Sequence, residues 1–315
     1  MTSKFCRELF IQPMLAYRLE GRGSPLLLIH GWGVTSNVWK NLVPLLAPHF
    51  RLILVELPWV GASEEVVPDK PYYEFCAQAL EELRAALEIE RWGILAYSTG
   101  TRAGEAYVQC YPQYVTRAVF LCPLYLHKSW TIALQMEEWI DARQSGMADW
   151  FLSGWRLHGL LLTLGFNFRK SDYSDEWLDE IEMRPLENLK RMLLELPGKG
   201  RAPFSLPISP SVPILFVWGR RDALIARPLR SRPNDVFILA NHGAPMLVPN
   251  QIAEVVLPFF QEKLRIEYNT PARRAAFSKS AFVHKYRGLA LRRRRKTALV
   301  YPFDIDPQID RASNP

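Results

Sequence analysis

Cysteine is scarce in this chain: four residues in 315, at positions 6, 76, 110 and 122. They lie far apart, show no CxxC spacing and have no neighbouring histidine pair, so neither a disulfide framework nor a metal site is implied. Cys6, Cys76, Cys110 and Cys122 read most simply as buried or free thiols of a reducing compartment. Long hydrophobic runs are also missing. No segment approaches the ~18 apolar residues of a membrane span, and the opening MTSKFCRELFIQPM lacks the apolar core of a secretion signal. A cytoplasmic location is the resulting expectation. An excess of one charge is absent from most of the chain as well. Although the formal net charge is +7, residues 1–270 hold 28 Lys+Arg against 29 Asp+Glu, and residues 271–315 hold 11 against 3. The basic character therefore belongs to the last segment, with its run Arg292 to Lys296. That run lacks the flanking aromatics or motif of a nucleic-acid module, which argues against such a partner. A flexible solubilising tail is the plain reading, and contact with an anionic membrane surface is the alternative left open.

Core-forming residues are plentiful. Hydrophobic residues make up 49% of the chain, with 16 Phe, 12 Tyr and 10 Trp, which excludes a mainly disordered protein. Short apolar runs bounded by Gly, Pro or Asn alternate with longer amphipathic stretches, the pattern of an α/β fold. Strands are expected at Leu15 to Glu20, Pro25 to His30, Arg51 to Leu57, Trp92 to Tyr97, Ala118 to Cys122, Pro213 to Trp218 and Val236 to Ala240. Several are almost wholly apolar, as parallel strands covered on both faces should be. Phe75, Ala79, Leu83, Ala86 and Leu87 recur at helical spacing within Tyr72 to Leu87, which suits a crossover helix.

After Cys122 the alternation stops for about ninety residues rich in Trp, Leu and charge, without a convincing strand. The expected organisation is a core made of residues 1–122 and 213–266, a helical lid inserted over 123–212, and a basic tail over 267–315. A last helix around Ile252 to Leu264 would close the core.

Four segments carry chemistry. Ala96-Tyr-Ser98-Thr-Gly100 sets a serine at a tight strand-to-helix turn with small residues two before and two after, a nucleophile elbow in which Ala96 takes the place of the usual glycine. The turn would present the Ser98 hydroxyl at the sheet edge and aim the Thr99 N–H at the same point. Early in the chain, His30-Gly-Trp-Gly33 follows a strand, and the Trp32 N–H there can join that of Thr99 as a second oxyanion donor, each donor being worth about 3 kcal/mol. His30 itself reads as a turn-stabilising residue rather than a base. Asp222 follows the strand at Pro213 to Trp218, and His242 follows the next strand. A serine alcohol needs a base, and an imidazole base needs a carboxylate to fix its tautomer. Alone, Asp222 would serve equally to cap a turn and His242 to sit in a surface loop. Together, Ser98, Asp222 and His242 stand after successive strands in the chain order Ser, Asp, His.

With these motifs, and Leu57-Pro-Trp-Val-Gly61-Ala-Ser63, Gly219-Arg-Arg-Asp222 and His242-Gly-Ala-Pro245, the sequence resembles the α/β-hydrolase superfamily of the esterase and lipase kind over roughly residues 15–264. Where many relatives carry Asp before Leu-Pro-Gly, this chain has Glu56 and Trp59. The HGWG turn and the helical insertion are more narrowly similar to pimeloyl-carrier-protein methyl ester esterases. The resemblance implies a mostly parallel central sheet flanked by helices, with a lid before the strand carrying the acid. It implies a Ser98, Asp222 and His242 triad, an oxyanion hole from the Trp32 and Thr99 amides, and no cofactor or metal. Dehalogenases and epoxide hydrolases of this fold carry Asp at the elbow, so Ser98 speaks for acyl transfer to water. The expected substrate is a small or medium-chain acyl ester, with an acyl carrier protein as a candidate partner. Trp130, Trp139, Trp155 and Phe166 of the lid are the candidate pocket wall, although packing of the lid onto the core explains such residues equally well. A noncatalytic binding protein on the same fold, and a hydrolase of C–C or amide bonds, are the alternatives that sequence leaves open. Oligomeric state is not encoded in any motif.

Overall fold

The computed structural model describes residues 15–63, 70–123, 188, 212–222, 225 and 234–262. Within them a seven-stranded sheet runs in the order β1-β3-β2-β4-β5-β6-β7, made of Tyr17–Glu20 (β1), Ser24–Ile29 (β2), Phe50–Val55 (β3), Trp92–Tyr97 (β4), Val115–Leu121 (β5), Ile214–Gly219 (β6) and Asp235–Ile238 (β7). Every neighbouring pair is parallel except β1 with β3. This mostly parallel sheet is the one the apolar runs predict. The expected strand at Arg51 to Leu57 begins at Phe50 and stops at Val55, because the chain turns out of the sheet at Glu56. That at Ala118 to Cys122 starts earlier, at Val115, and ends one residue short of Cys122, whose backbone has a φ of 44°.

Burial follows position in the sheet. All six residues of β4 and of β6 are buried, whereas β1, at one edge, exposes three of its four. Central parallel strands have helices on both faces and so need apolar residues at every position. The helices are Val43–Leu46 (α1), Tyr72–Ala86 (α2), Gly100–Cys110 (α3), Ala244–Leu247 (α4) and Pro249–Phe260 (α5). Adjacent strand residues point to opposite faces, and β4 shows what this does. A side chain at Gly93 would collide with Phe260 of α5, while Ile94 and Ala96 face Gly104 of α3. Thus α3 and α5 cover opposite faces of the sheet.

The close seat of α3 explains the small residues there. A Cβ at Gly104 would lie 3.2 Å from the Ala96 methyl and 3.1 Å from the Phe120 ring. Ala96, in the place of the usual elbow glycine, is tolerated because the helix opposite it carries no side chain. The expected lid, with Trp130, Trp139, Trp155 and Phe166, and the basic tail lie outside the described residues. No described helix is long and apolar enough to cross a membrane.

Candidate active site

All the parallel strands deliver their C-terminal ends to one edge of the sheet, and the chemistry-bearing residues stand there. Ser98 follows β4 directly, with φ 53°. A non-glycine residue in this left-handed region costs roughly 1–2 kcal/mol, which the neighbouring bonds must offset. The Ser98 N–H donates to Leu121 O at 3.0 Å, and its carbonyl accepts from the Thr101 N–H at 3.1 Å and hydroxyl at 2.6 Å. The elbow is thereby fastened to β5 on one side and to the first turn of α3 on the other. Gly100 is required for this approach: a Cβ there would stand 2.2 Å from His30 O.

His242 and Asp222 reach Ser98 from separate loops. The Ser98 hydroxyl lies 2.8 Å from His242 Nε2, and His242 Nδ1 lies 2.8 Å from Asp222 Oδ2. Asp222 accepts only, so Nδ1 carries the proton and Nε2 is left to accept from the serine hydroxyl. All three residues are buried. The Asp222 turn is fixed by its own N–H on Gly219 O at 3.2 Å and by the Arg221 N–H on Ala240 O at 2.9 Å, which couples the end of β6 to the approach to His242. The three residues singled out from sequence are therefore joined in one hydrogen-bonded chain.

The His30-Gly-Trp-Gly33 turn passes directly over the serine. A Cβ on Gly31 would be 3.0 Å from Ser98 Cβ, so only glycine lets the turn come this close. His30 is fully buried and points elsewhere: its Nδ1 meets Gly31 O at 2.7 Å, and its Nε2 accepts the Leu57 N–H at 3.0 Å. Those partners require a neutral imidazole, in agreement with its expected role in the turn. Glu56 braces the same loop. Its carboxylate accepts the Ser36 N–H at 3.1 Å and the Ser36 hydroxyl at 2.6 Å, while its carbonyl accepts from Ser63 Oγ at 3.0 Å. Trp59, the other departure, has φ 67° and stacks on Tyr72, whose hydroxyl donates to Pro58 O at 3.1 Å.

Two site residues carried no signal in the sequence. Tyr97 donates its hydroxyl to His242 O at 2.6 Å and packs edge-on against Trp39. Burial first, then the Asp222 charge nearby, pushes its phenol well above the ordinary range, so it stays a donor. Cys122, which the sequence offers only as a scattered thiol, lies beside Asp222. The Cys122, Asp222 and His242 ligand atoms fall within 4.8 Å of one another. The 2.8 Å contact between His242 and Asp222 is the length of a hydrogen bond.

Comparison with known proteins agrees with this architecture. A model of the alpha/beta hydrolase fold matches residues 24–237. The chain belongs to the α/β-hydrolase fold family. Among curated relatives, a pimeloyl-[acyl-carrier protein] methyl ester esterase of Aeromonas hydrophila is 27% identical over 267 residues, covering 76% of this hydrolase and 96% of that protein. The corresponding esterase of Photobacterium profundum is 46% identical over 55 residues, which span 18% of this chain and 22% of its own length. Several of the other matches to these esterases are similarly short, so the chain covers under a third of those relatives. Among solved structures, a thermophilic esterase from Thermogutta terrifontis aligns with a TM-score of 0.62 at 20% identity, over 79% of this chain and 93% of that one. An enol-lactonase from Burkholderia xenovorans LB400 aligns at 0.60 and 19%, over 78% and 96%. At such identities the structural likeness speaks for the fold alone.

Proposed function

We propose that this α/β hydrolase cleaves a carboxylic ester through a covalent acyl-enzyme on Ser98. The observation carrying the reading is the continuous chain from the Ser98 hydroxyl through both nitrogens of His242 to Asp222, each link 2.8 Å. His242 Nε2 takes the hydroxyl proton as Ser98 Oγ attacks the ester carbonyl carbon. The carbonyl oxygen becomes an oxyanion between the Trp32 and Thr99 N–H groups, and Asp222 stabilises the imidazolium. Collapse breaks the bond to the alkoxy oxygen, which leaves with the proton from His242. Water then gives a proton to His242 and attacks the acyl carbon, and a second collapse frees the acid and restores the Ser98 hydroxyl.

The proposed substrate is a small or medium-chain acyl ester. The methyl ester esterases among the relatives favour one in which the acyl group rides on a carrier protein. A fluorophosphonate probe tests the nucleophile: labelling of the wild type that disappears in Ser98→Ala supports it, and an unlabelled wild type contradicts it. A series of p-nitrophenyl esters of increasing acyl length, set beside a carrier-bound methyl ester, then locates the substrate. Turnover of neither class would remove the esterase reading.

A further inference from the structure

Cys122 is the residue immediately after β5, fully buried, and one of five described non-glycine residues with positive φ. Nothing in the proposed reaction uses it. Its N–H donates to Val217 O at 2.8 Å, which pins it to β6, the strand leading to Asp222. Its sulfur lies within 4.8 Å of an Asp222 carboxylate oxygen and a His242 ring nitrogen. A carboxylate held only through its bond to an imidazole can pivot about its own side-chain torsion. A donor approaching from a different strand restricts that rotation, as outer partners do for ligating and catalytic groups generally.

We propose that Cys122 is a positioning residue for the acid of the site: its thiol, carried on a strained turn after β5, donates to the Asp222 carboxylate and fixes the orientation in which Asp222 holds His242. Two features support a donor role over a nucleophilic one. Burial first, then the Asp222 charge and hydrogen bond, push the thiol well above its ordinary range, so the sulfur keeps its proton. The position also suits a small unbranched side chain, because β-branched residues are poorly accommodated at a φ of 44°. A backbone strained at a functional site, where a less strained residue would serve packing as well, fits a side chain selected for its contact. The inference rests on the roles proposed for Asp222 and His242.

The test compares Cys122→Ala, which removes the donor, with Cys122→Ser, which keeps one, in the full chain. Alanine is expected to lower kcat about five- to tenfold with KM unchanged, the loss of one hydrogen bond from a weak donor. Serine is expected to restore most of it. In parallel, the downfield imidazole N–H proton of His242, assigned by its disappearance in His242→Ala, should shift or broaden in the alanine variant and return with serine. Wild-type kcat in Cys122→Ala overturns the proposal, as does serine performing no better than alanine, or a fall in kcat with an unmoved imidazole resonance. If alanine prevents folding, the S–H stretching band of the wild type is read instead. A hydrogen-bonded band that moves in Asp222→Asn supports the contact, and one that stays in place overturns it. If the wild type neither labels nor turns over any ester, the esterase reading fails by itself, and the imidazole resonance still decides whether the thiol governs Asp222.

Discussion

Ser98 and its immediate neighbours show how narrowly the site is built. Gly31 leaves 3.0 Å between a hypothetical Cβ and that of the serine, so Gly31→Ala must push the turn away from Ser98. Ester turnover is expected to fall at least tenfold in that variant. Thr99 offers the opposite case. Among the described residues its buried hydroxyl has no hydrogen-bond partner, and a buried unsatisfied hydroxyl costs about 1–3 kcal/mol. Thr99→Val should therefore raise stability by about 1 kcal/mol in denaturant unfolding. Any accompanying loss of turnover would mean that substrate supplies the missing partner. Ser98, Asp222 and His242 were legible from sequence because each follows an apolar strand and their chemistry is mutually dependent. Tyr97 and Cys122 were not. Tyr97 bonds His242 across 145 residues of chain and Cys122 lies near Asp222 across 100, and only the assembled sheet brings those ends together.

At the scale of elements, the β2 turn and the β3 exit form one unit through Glu56. The carboxylate receives two bonds from Ser36 and lies 3.7 Å from His30 Nε2. Glu56→Ala should release both donors, lowering stability by about 1–3 kcal/mol and loosening the loop that carries the Trp32 N–H. The measurement is paired thermal unfolding and kcat, and the loss of kcat should persist at temperatures where the variant is fully folded. The seat of α3 on β4 gives a complementary expectation. Gly104→Leu would drive a branched side chain into Ala96 and Phe120, and overpacking of this kind costs about 1–3 kcal/mol. Strand positions were readable because apolar runs of six or seven residues have few other uses. Their ends were less so: Val115 to Arg117 carry an exposed Thr116 and a half-buried Arg117, which hide the first turn of β5 from a pattern of apolar residues.

For the whole molecule, the alkaline limit of stability should be set by protons kept in the core. Cys122, Tyr97 and Tyr107 all have their acid dissociation pushed upward, principally by burial and, for Tyr107, next by its hydrogen bond to Glu81. In the unfolded chain they ionise near their ordinary values of about 8.5 and 10. Below those values the native and unfolded states hold the same protons. Above them the unfolded state loses protons that the fold retains, so stability falls as pH rises, by about 1.4 kcal/mol per pH unit for each group. Denaturant midpoints measured from pH 7 to 11 should decline beyond about pH 9, and Cys122→Ser should soften the start of that decline. A flat profile would contradict the burial of these groups. Charge is distributed differently: removing residues 271–315 takes away 11 Lys+Arg and 3 Asp+Glu, changing the formal net charge from +7 to −1.

The hydroxyl beneath the Gly31 turn is what the functional reading depends on, and rapid-quench kinetics with a p-nitrophenyl ester address it directly. A burst of one p-nitrophenolate per chain is expected, with the acyl group recovered on the peptide containing Ser98. Steady turnover with no acyl adduct, or with the adduct on another residue, would contradict the proposed mechanism.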